Sequence, residues 1–217
     1  MASSTTTRKP ANGDRERMDG DYAQPALENR PTVNDPTGVD CNADIVLCAA
    51  VIAMGLVAGL FYFSSIAVMP ALTAADDRTL VDAMQQMIDK IENPAFFVTF
   101  LGAPALAAIA VVQARRSGAA QPAGWIVAGL ALYTVMVVIT FAVHIPLNDD
   151  LKKAGDPARV ENLAAVRDDF VTPWVAWDIV RTLASTAAFG SLAWALVLRG
   201  RMGRAEQPRR TGGYVHG

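Results

Sequence analysis

Asp178 and Arg181 stand three residues apart inside an apolar stretch, where an ionisable side chain is costly unless it is paired or faces a cavity. On a helix that spacing puts the carboxylate and the guanidinium on one face, close enough to pair. Trp174 and Trp177 extend the face, so that Trp174, Trp177, Asp178 and Arg181 fall at i, i+3, i+4 and i+7. Arg181 then lies roughly 10 Å along the helix from Trp174, too deep for simple snorkelling. A second stripe precedes it: Tyr133, Val137, Thr140 and His144 share one helical face. Consecutive helices joined by a loop pack antiparallel, so His144 is expected to meet Trp174, Asp178 and Arg181. Asn148, Asp89 and Asn93 are available to close the same pocket. An imidazole, an ion pair and aromatic rings at one level of the bundle are the residue types that could carry chemistry there.

Each residue also has an ordinary structural reading. Trp174 and Trp177 fit as interfacial aromatics, and His144 as a hydrogen-bonded bystander at a helix end. Asn148 fits as a turn residue bonded to its own backbone, and the Asp178–Arg181 pair as a device fixing helix register. Convergence of polar and aromatic groups from separate segments favours a site.

The elements that must position these residues are membrane helices. Of 217 residues 52% are hydrophobic and only 18% charged, against about a quarter charged in a soluble domain. The charges crowd between four apolar runs, at residues 45–64, 94–112, 125–143 and 174–198. Each is long enough to span a bilayer. The first begins too deep in the chain, and is too long, to be a cleaved signal. It carries Gly55 and Gly59 in a small-xxx-small pattern, which suits close helix packing. Gly102 and Pro104 are expected to bend the second.

Between the first two spans, Leu80, Val81, Met84, Met87, Ile88 and Ile91 recur at helical spacing among polar residues. They predict an amphipathic helix that lies on the membrane surface or caps the bundle. Asp156-Pro157 is an N-cap and first-turn pair, predicting a short helix towards Phe170. The expected fold is therefore all-α: a four-transmembrane-helix bundle with an amphipathic surface helix in each of the two outer loops. Residues 43–199 form the membrane domain, 1–42 a disordered tail and 200–217 a basic tail. Cys41 and Cys48 sit too far apart on a helix to bridge and read as small apolar side chains.

Most Lys and Arg fall in the two tails and the Arg115-Arg116 turn. By the positive-inside rule both termini are cytoplasmic. The basic residues lack interleaved aromatics, so nucleic acid is not an expected partner. The lipid bilayer is. Oligomeric state has no signature here.

Several segments carry a resemblance: Gly59-Leu-Phe-Tyr-Phe-Ser, Val68-Met69-Pro70-Ala71-Leu72, Met84-Gln85-Gln86-Met87-Ile88-Asp89, and Asn93-Pro94-Ala95-Phe96. The most specific are His144-Ile-Pro-Leu-Asn148 and Trp174-Val-Ala-Trp177-Asp178-Ile-Val-Arg181-Thr182. In that order, from about Ala43 to Leu198, the chain resembles the anthrone-oxygenase-like membrane family. It departs from the family pattern at Asp178, usually Asn, and at Asp89 and His144, often Asn. An acid in place of an amide adds a charge and removes two donors.

The resemblance implies oxidation of anthrones, flat phenolic polyketides, to anthraquinones with dioxygen as co-substrate and no cofactor. His144 is then the base, and Arg181, oriented by Asp178, stabilises the enolate. Trp174, Trp177 and Tyr133 line the ring pocket, and Asn148 orients His144 or the substrate, with Asn93 and Asp89 at its edge. A metal held by His144, Asp178 and Asp89 is the competing mechanism, although one histidine with carboxylates is thin support for copper or iron. The competing function is a non-enzymatic membrane protein that binds a lipophilic ligand or supports a partner complex. A transporter fits less well, because no inverted repeat is evident.

Overall fold

The computed structural model describes residues 41–205. Within them the chain is helical with no strand, and five helices follow in order: α1 (Cys41–Thr73), α2 (Asp77–Ile91), α3 (Pro94–Arg116), α4 (Ala120–Lys153) and α5 (Leu163–Ala205). α1, α3, α4 and α5 are long and apolar enough to cross a membrane, and the chain is an integral membrane protein. A hydrocarbon core of about 30 Å takes about 20 helical residues. α3 matches it with 23 residues, whereas α1 has 33, α4 34 and α5 43. Surplus turns of these three project at one end, and α2 packs among them as a cap.

Each long helix has two long neighbours: α1 and α4 both pack against α3 and α5. Small residues make the close approaches. Ala103, Ala107, Ala110 and Ala114 repeat along the buried face of α3. A Cβ at Gly129 of α4 would fall 2.1 Å from Leu192 Cδ1 and 3.0 Å from the Ala188 carbonyl oxygen, both on α5. Any larger residue there makes α5 or the Leu192 side chain give way. Of the Gly55/Gly59 pair, Gly55 faces the Phe189 ring, 3.0 Å from its would-be Cβ, while Gly59 has no neighbour within 4 Å. At the end away from the cap, Arg199 Nε and Asp44 Oδ1, 2.7 Å apart, tie α5 to the start of α1.

The interior divides into two apolar clusters. The membrane cluster includes Leu47, Met54, Phe100, Ile126, Tyr133 and Leu192. The cap cluster joins Met69, Leu80, Val81, Met84, Ile88, Leu151, Phe170 and Trp174. α2 is thus the amphipathic helix expected, with Leu80, Val81, Met84 and Ile88 buried in the cap. Its N-terminus is closed by Asp76, whose carboxylate accepts from the Thr79 amide (3.0 Å) and hydroxyl (2.7 Å). Those two bonds hold the Asp76 carboxyl below its usual range. Gln85 Nε2 donates to the carbonyls of Leu151 and Gly155, and Arg167 pairs with Asp77, tying α2 to the projecting turns of α4 and α5.

The second connection departs from expectation. No separate helix begins at Asp156-Pro157. Asp156 accepts from the Ala158 amide in a turn, and the helix starts at Leu163, where Asn162 accepts from the Ala165 amide. It then runs through Pro173 into the last span without a break. Proline removes one donor and crowds the carbonyl four residues back. Phe170 and Trp174, packed in the cap on either side of Pro173, hold the helix through that defect. Pro104 likewise lies inside unbroken α3. Residues 200–205 continue α5 rather than starting a tail. The remainder of both expected tails, 1–40 and 206–217, lies outside the described residues.

Candidate functional site

Two helices change pitch where membrane and cap meet. α1 has a π turn at Ser64–Val68 and α4 one at Thr140–His144. The Met69 amide reaches the Ser64 carbonyl and the Ile145 amide the Thr140 carbonyl, the wider i→i−5 bond. Each π turn ends two residues before a proline, Pro70 or Pro146. A proline ring crowds the carbonyl four back and offers it no donor, and widening the preceding turn accommodates both defects. Such bulges recur at functional sites.

Ser64, Val68, Thr140 and His144, all from these turns, line one cavity of about 170 Å³. α2 supplies Met84 and Ile88, α3 supplies Phe96, and α5 supplies Trp174 and Arg181. His144 is 1% exposed, and its ring stands edge-on to Trp174 with centroids 5.3 Å apart. Neither imidazole nitrogen has a hydrogen-bond partner; the backbone of Ile139 and Trp174 lies near the ring, outside bonding geometry. Trp174 donates its indole N–H to Asn148 Oδ1 at 3.1 Å, which orients both side chains.

Arg181 also lies against this indole. Its Cζ lies 5.1 Å from the Trp174 ring and 4.2 Å from the Phe61 ring, a cation–π sandwich that suits a guanidinium removed from water. Arg181 Nε donates to Asp178 Oδ1 at 2.7 Å. The second carboxylate oxygen accepts from Ser65 Oγ at 2.8 Å, and that hydroxyl lies 3.0 Å from Thr182 Oγ1. Asp178 is thus bonded on both oxygens while 1% exposed. Among the described residues Nε is the only Arg181 nitrogen with a hydrogen bond. His144 and Arg181 therefore share one chamber, with Asp178 behind the guanidinium.

The other candidates lie elsewhere. Tyr133 is buried in the membrane cluster, donating to the Phe100 carbonyl at 2.8 Å. Eleven residues before His144, it sits roughly 16 Å deeper along α4. Trp177 is 41% exposed, because the buried face runs through Trp174, Asp178 and Arg181 and leaves position 177 at its edge. Asn93 caps α3, accepting from the Phe96 amide and donating to the Lys90 carbonyl. Asp89 pairs with Lys152 at 2.9 Å on an exposed surface, so His144, Asp178 and Asp89 do not converge on one point.

Sequence reasoning missed Phe61 and Ser65, the π-stacking and hydrogen-bonding partners of the ion pair. Phe61 lies in the Gly59-Leu-Phe-Tyr-Phe-Ser segment, but nothing in its spacing tied it to the ion pair, and serine is ordinary in a membrane span. The proline two residues after each π turn was a readable one.

The model of the anthrone oxygenase family matches residues 95–191. Over that stretch the chain is similar to anthrone oxygenases. That match takes in α3, α4 and the part of α5 carrying Trp174, Asp178 and Arg181, together with His144 and Asn148. α1, with Phe61 and Ser65, and α2 lie before it. No curated protein and no solved structure matches the chain.

Proposed function

We propose that this protein is a membrane-embedded oxygenase that oxidises a small apolar phenolic or polyketide-like aromatic with dioxygen. One observation carries the reading: a buried imidazole with both nitrogens unpaired faces an apolar chamber beside a fixed guanidinium. Buried polar atoms are normally satisfied, and leaving one unpaired costs roughly 1–3 kcal/mol. A substrate hydroxyl or acidic C–H gives that imidazole its partner.

For an anthrone-like substrate the steps balance. His144 takes a proton from the ring methylene, and Arg181 holds the oxygen on which negative charge collects. The carbanion gives its electrons to dioxygen and forms a C–O bond, leaving a peroxide anion. His144 returns its proton to the outer oxygen. Loss of water from the hydroperoxide then breaks the O–O bond and the remaining C–H bond and leaves a quinone carbonyl. One dioxygen is consumed and one water released. Asp178 keeps Arg181 in place, Asn148 fixes the Trp174 indole, and the apolar walls exclude water from the anion. The density of Lys and Arg flanking the end away from the cap supports cytoplasmic termini and a chamber facing the outer leaflet.

The test uses membranes containing the full chain, a panel of phenolic substrates and isotopically heavy dioxygen. Oxygen uptake with heavy oxygen in the product carbonyl is expected. Saturable binding without uptake on any substrate would favour the ligand-binding alternative instead.

A further inference from the structure

α3 is the short helix of the four spans, and the chamber is open above its first turn. With 23 residues α3 begins at the membrane edge, whereas α1, α4 and α5 run on into the cap. α1 and α4 each pack against both α3 and α5, so α3 stands across the bundle from α5. The cap helix α2 packs on α5 and on the projecting ends of α4 and α1, which covers the α5 side. The exposure of the chamber's lining follows this plan. Trp174 and Arg181 of α5 are 6% and 7% exposed and form the closed back wall. Leu60 and Phe63 of α1, Met87 of α2, Phe97 of α3 and Ile145 of α4 line the same chamber and are 39–58% exposed. They frame a window opposite α5.

The window faces hydrocarbon. All of its frame except Met87 belongs to membrane-crossing helices. Asp44, tied to Arg199, marks the far end of the bundle. Leu60 stands roughly 24 Å along α1 from Asp44, within an apolar core of about 30 Å. The charged residue of the rim, Glu92, follows α2 on the cap side and pairs there with Lys152 at 3.4 Å.

We infer that this window is a lateral portal, through which an apolar aromatic dissolved in the cap-side leaflet enters the chamber directly from lipid, between Leu60, Phe63 and Phe97. This rests on the chamber being the substrate site proposed above. A charged group is costly in hydrocarbon, so the molecule passes the window uncharged and becomes an anion only beside Arg181. An apolar product leaves the same way.

The experiment uses the full chain in phospholipid vesicles and two aryl diazirines, one apolar and one carrying a quaternary ammonium. Each is photolysed at increasing delays after mixing, and labelled residues are mapped by mass spectrometry. The apolar reagent is expected to label buried Trp174 at early delays, and the charged one to label only the cap surface. Leu60→Trp combined with Phe97→Trp narrows the window at two exposed positions. It should slow Trp174 labelling severalfold and leave lipid-facing Ile109 and Val135, 48% and 50% exposed, labelled as before. Leu101→Trp, elsewhere on α3 and 49% exposed, should change neither. A phospholipid with a diazirine high on its acyl chain should label Leu60, Phe63 and Phe97. Four results would each overturn the portal: no Trp174 labelling by the apolar reagent, equally fast labelling by the charged one, indifference to the paired window substitutions, or a frame the phospholipid does not label. Phospholipid labelling of Trp174 itself would make the window a groove for lipid chains and overturn it too. No arm depends on turnover, so absence of oxygen uptake would count against the oxygenase reading and leave this one standing.

Discussion

Asp178 is the residue on which the rest of the chamber leans. It is 1% exposed and bonded to Arg181 and Ser65 on separate oxygens. Removing one partner of a buried ion pair leaves an uncompensated charge, a loss of roughly 3–5 kcal/mol. Asp178→Ala is therefore expected to lower the unfolding temperature in detergent far more than Asp178→Asn, whose amide oxygen can still accept one of the two bonds. Equal effects of both, which remove the charge alike, would mean that the hydrogen bonds Asp178 accepts add nothing to the stabilisation. The ion pair, His144 and Asn148 were legible in the sequence because helical spacing places them in register at one level. Tyr133 and Trp177 were misplaced for two different reasons. Tyr133 keeps the buried face but lies about three turns deeper than His144, among the membrane cluster, and Trp177 sits at the stripe's margin, where tertiary packing decides which way a side chain turns. Phe61 and Ser65 come from a helix distant in sequence, and no periodicity points from α1 to α5.

Between residue and fold, three local devices set the geometry. Gly129 permits the α4–α5 approach that brings His144 to Arg181. Gly129→Ala should destabilise the protein by roughly 1–3 kcal/mol through overpacking, seen as a lower unfolding temperature; an unchanged one would refute the contact. Asn93 starts α3 beneath the cap, and Asn93→Ala should lose about 1 kcal/mol of helix stability. Asp76 starts α2 with a carboxyl held below its usual range. Its contribution is full above the unfolded-state value of 3.8 and disappears as pH falls through the lower folded-state value. Amide exchange at Thr79, corrected for intrinsic rate, should accordingly lose protection only in strong acid, while Asp76→Asn should show no such dependence. The four spans and α2 were visible as apolar runs and amphipathic spacing. The start of α5 was not, because Asp156-Pro157 and Asn162 are both competent caps and the Phe170–Trp174 packing chooses between them.

At the scale of the molecule, three helices longer than the bilayer raise a cap on one side, and the chamber lies at the junction. The proposed sidedness rests on the charges near the other end, and Cys41 offers a native reporter of it, being exposed at the start of α1. A membrane-impermeant maleimide should label Cys41 in inverted vesicles and not in intact cells, with Cys48→Ser as the background control. Labelling from outside would reverse the topology. The central claim is that His144 and Arg181 act together on a substrate in that chamber. Oxygen uptake by membranes holding equal amounts of folded wild type, His144→Ala and Arg181→Lys, on a substrate the wild type turns over, tests it most directly. Loss of a base is expected to slow turnover by about a hundredfold or more, and loss of the guanidinium fork by a comparable factor. Turnover undiminished in both variants would contradict the account.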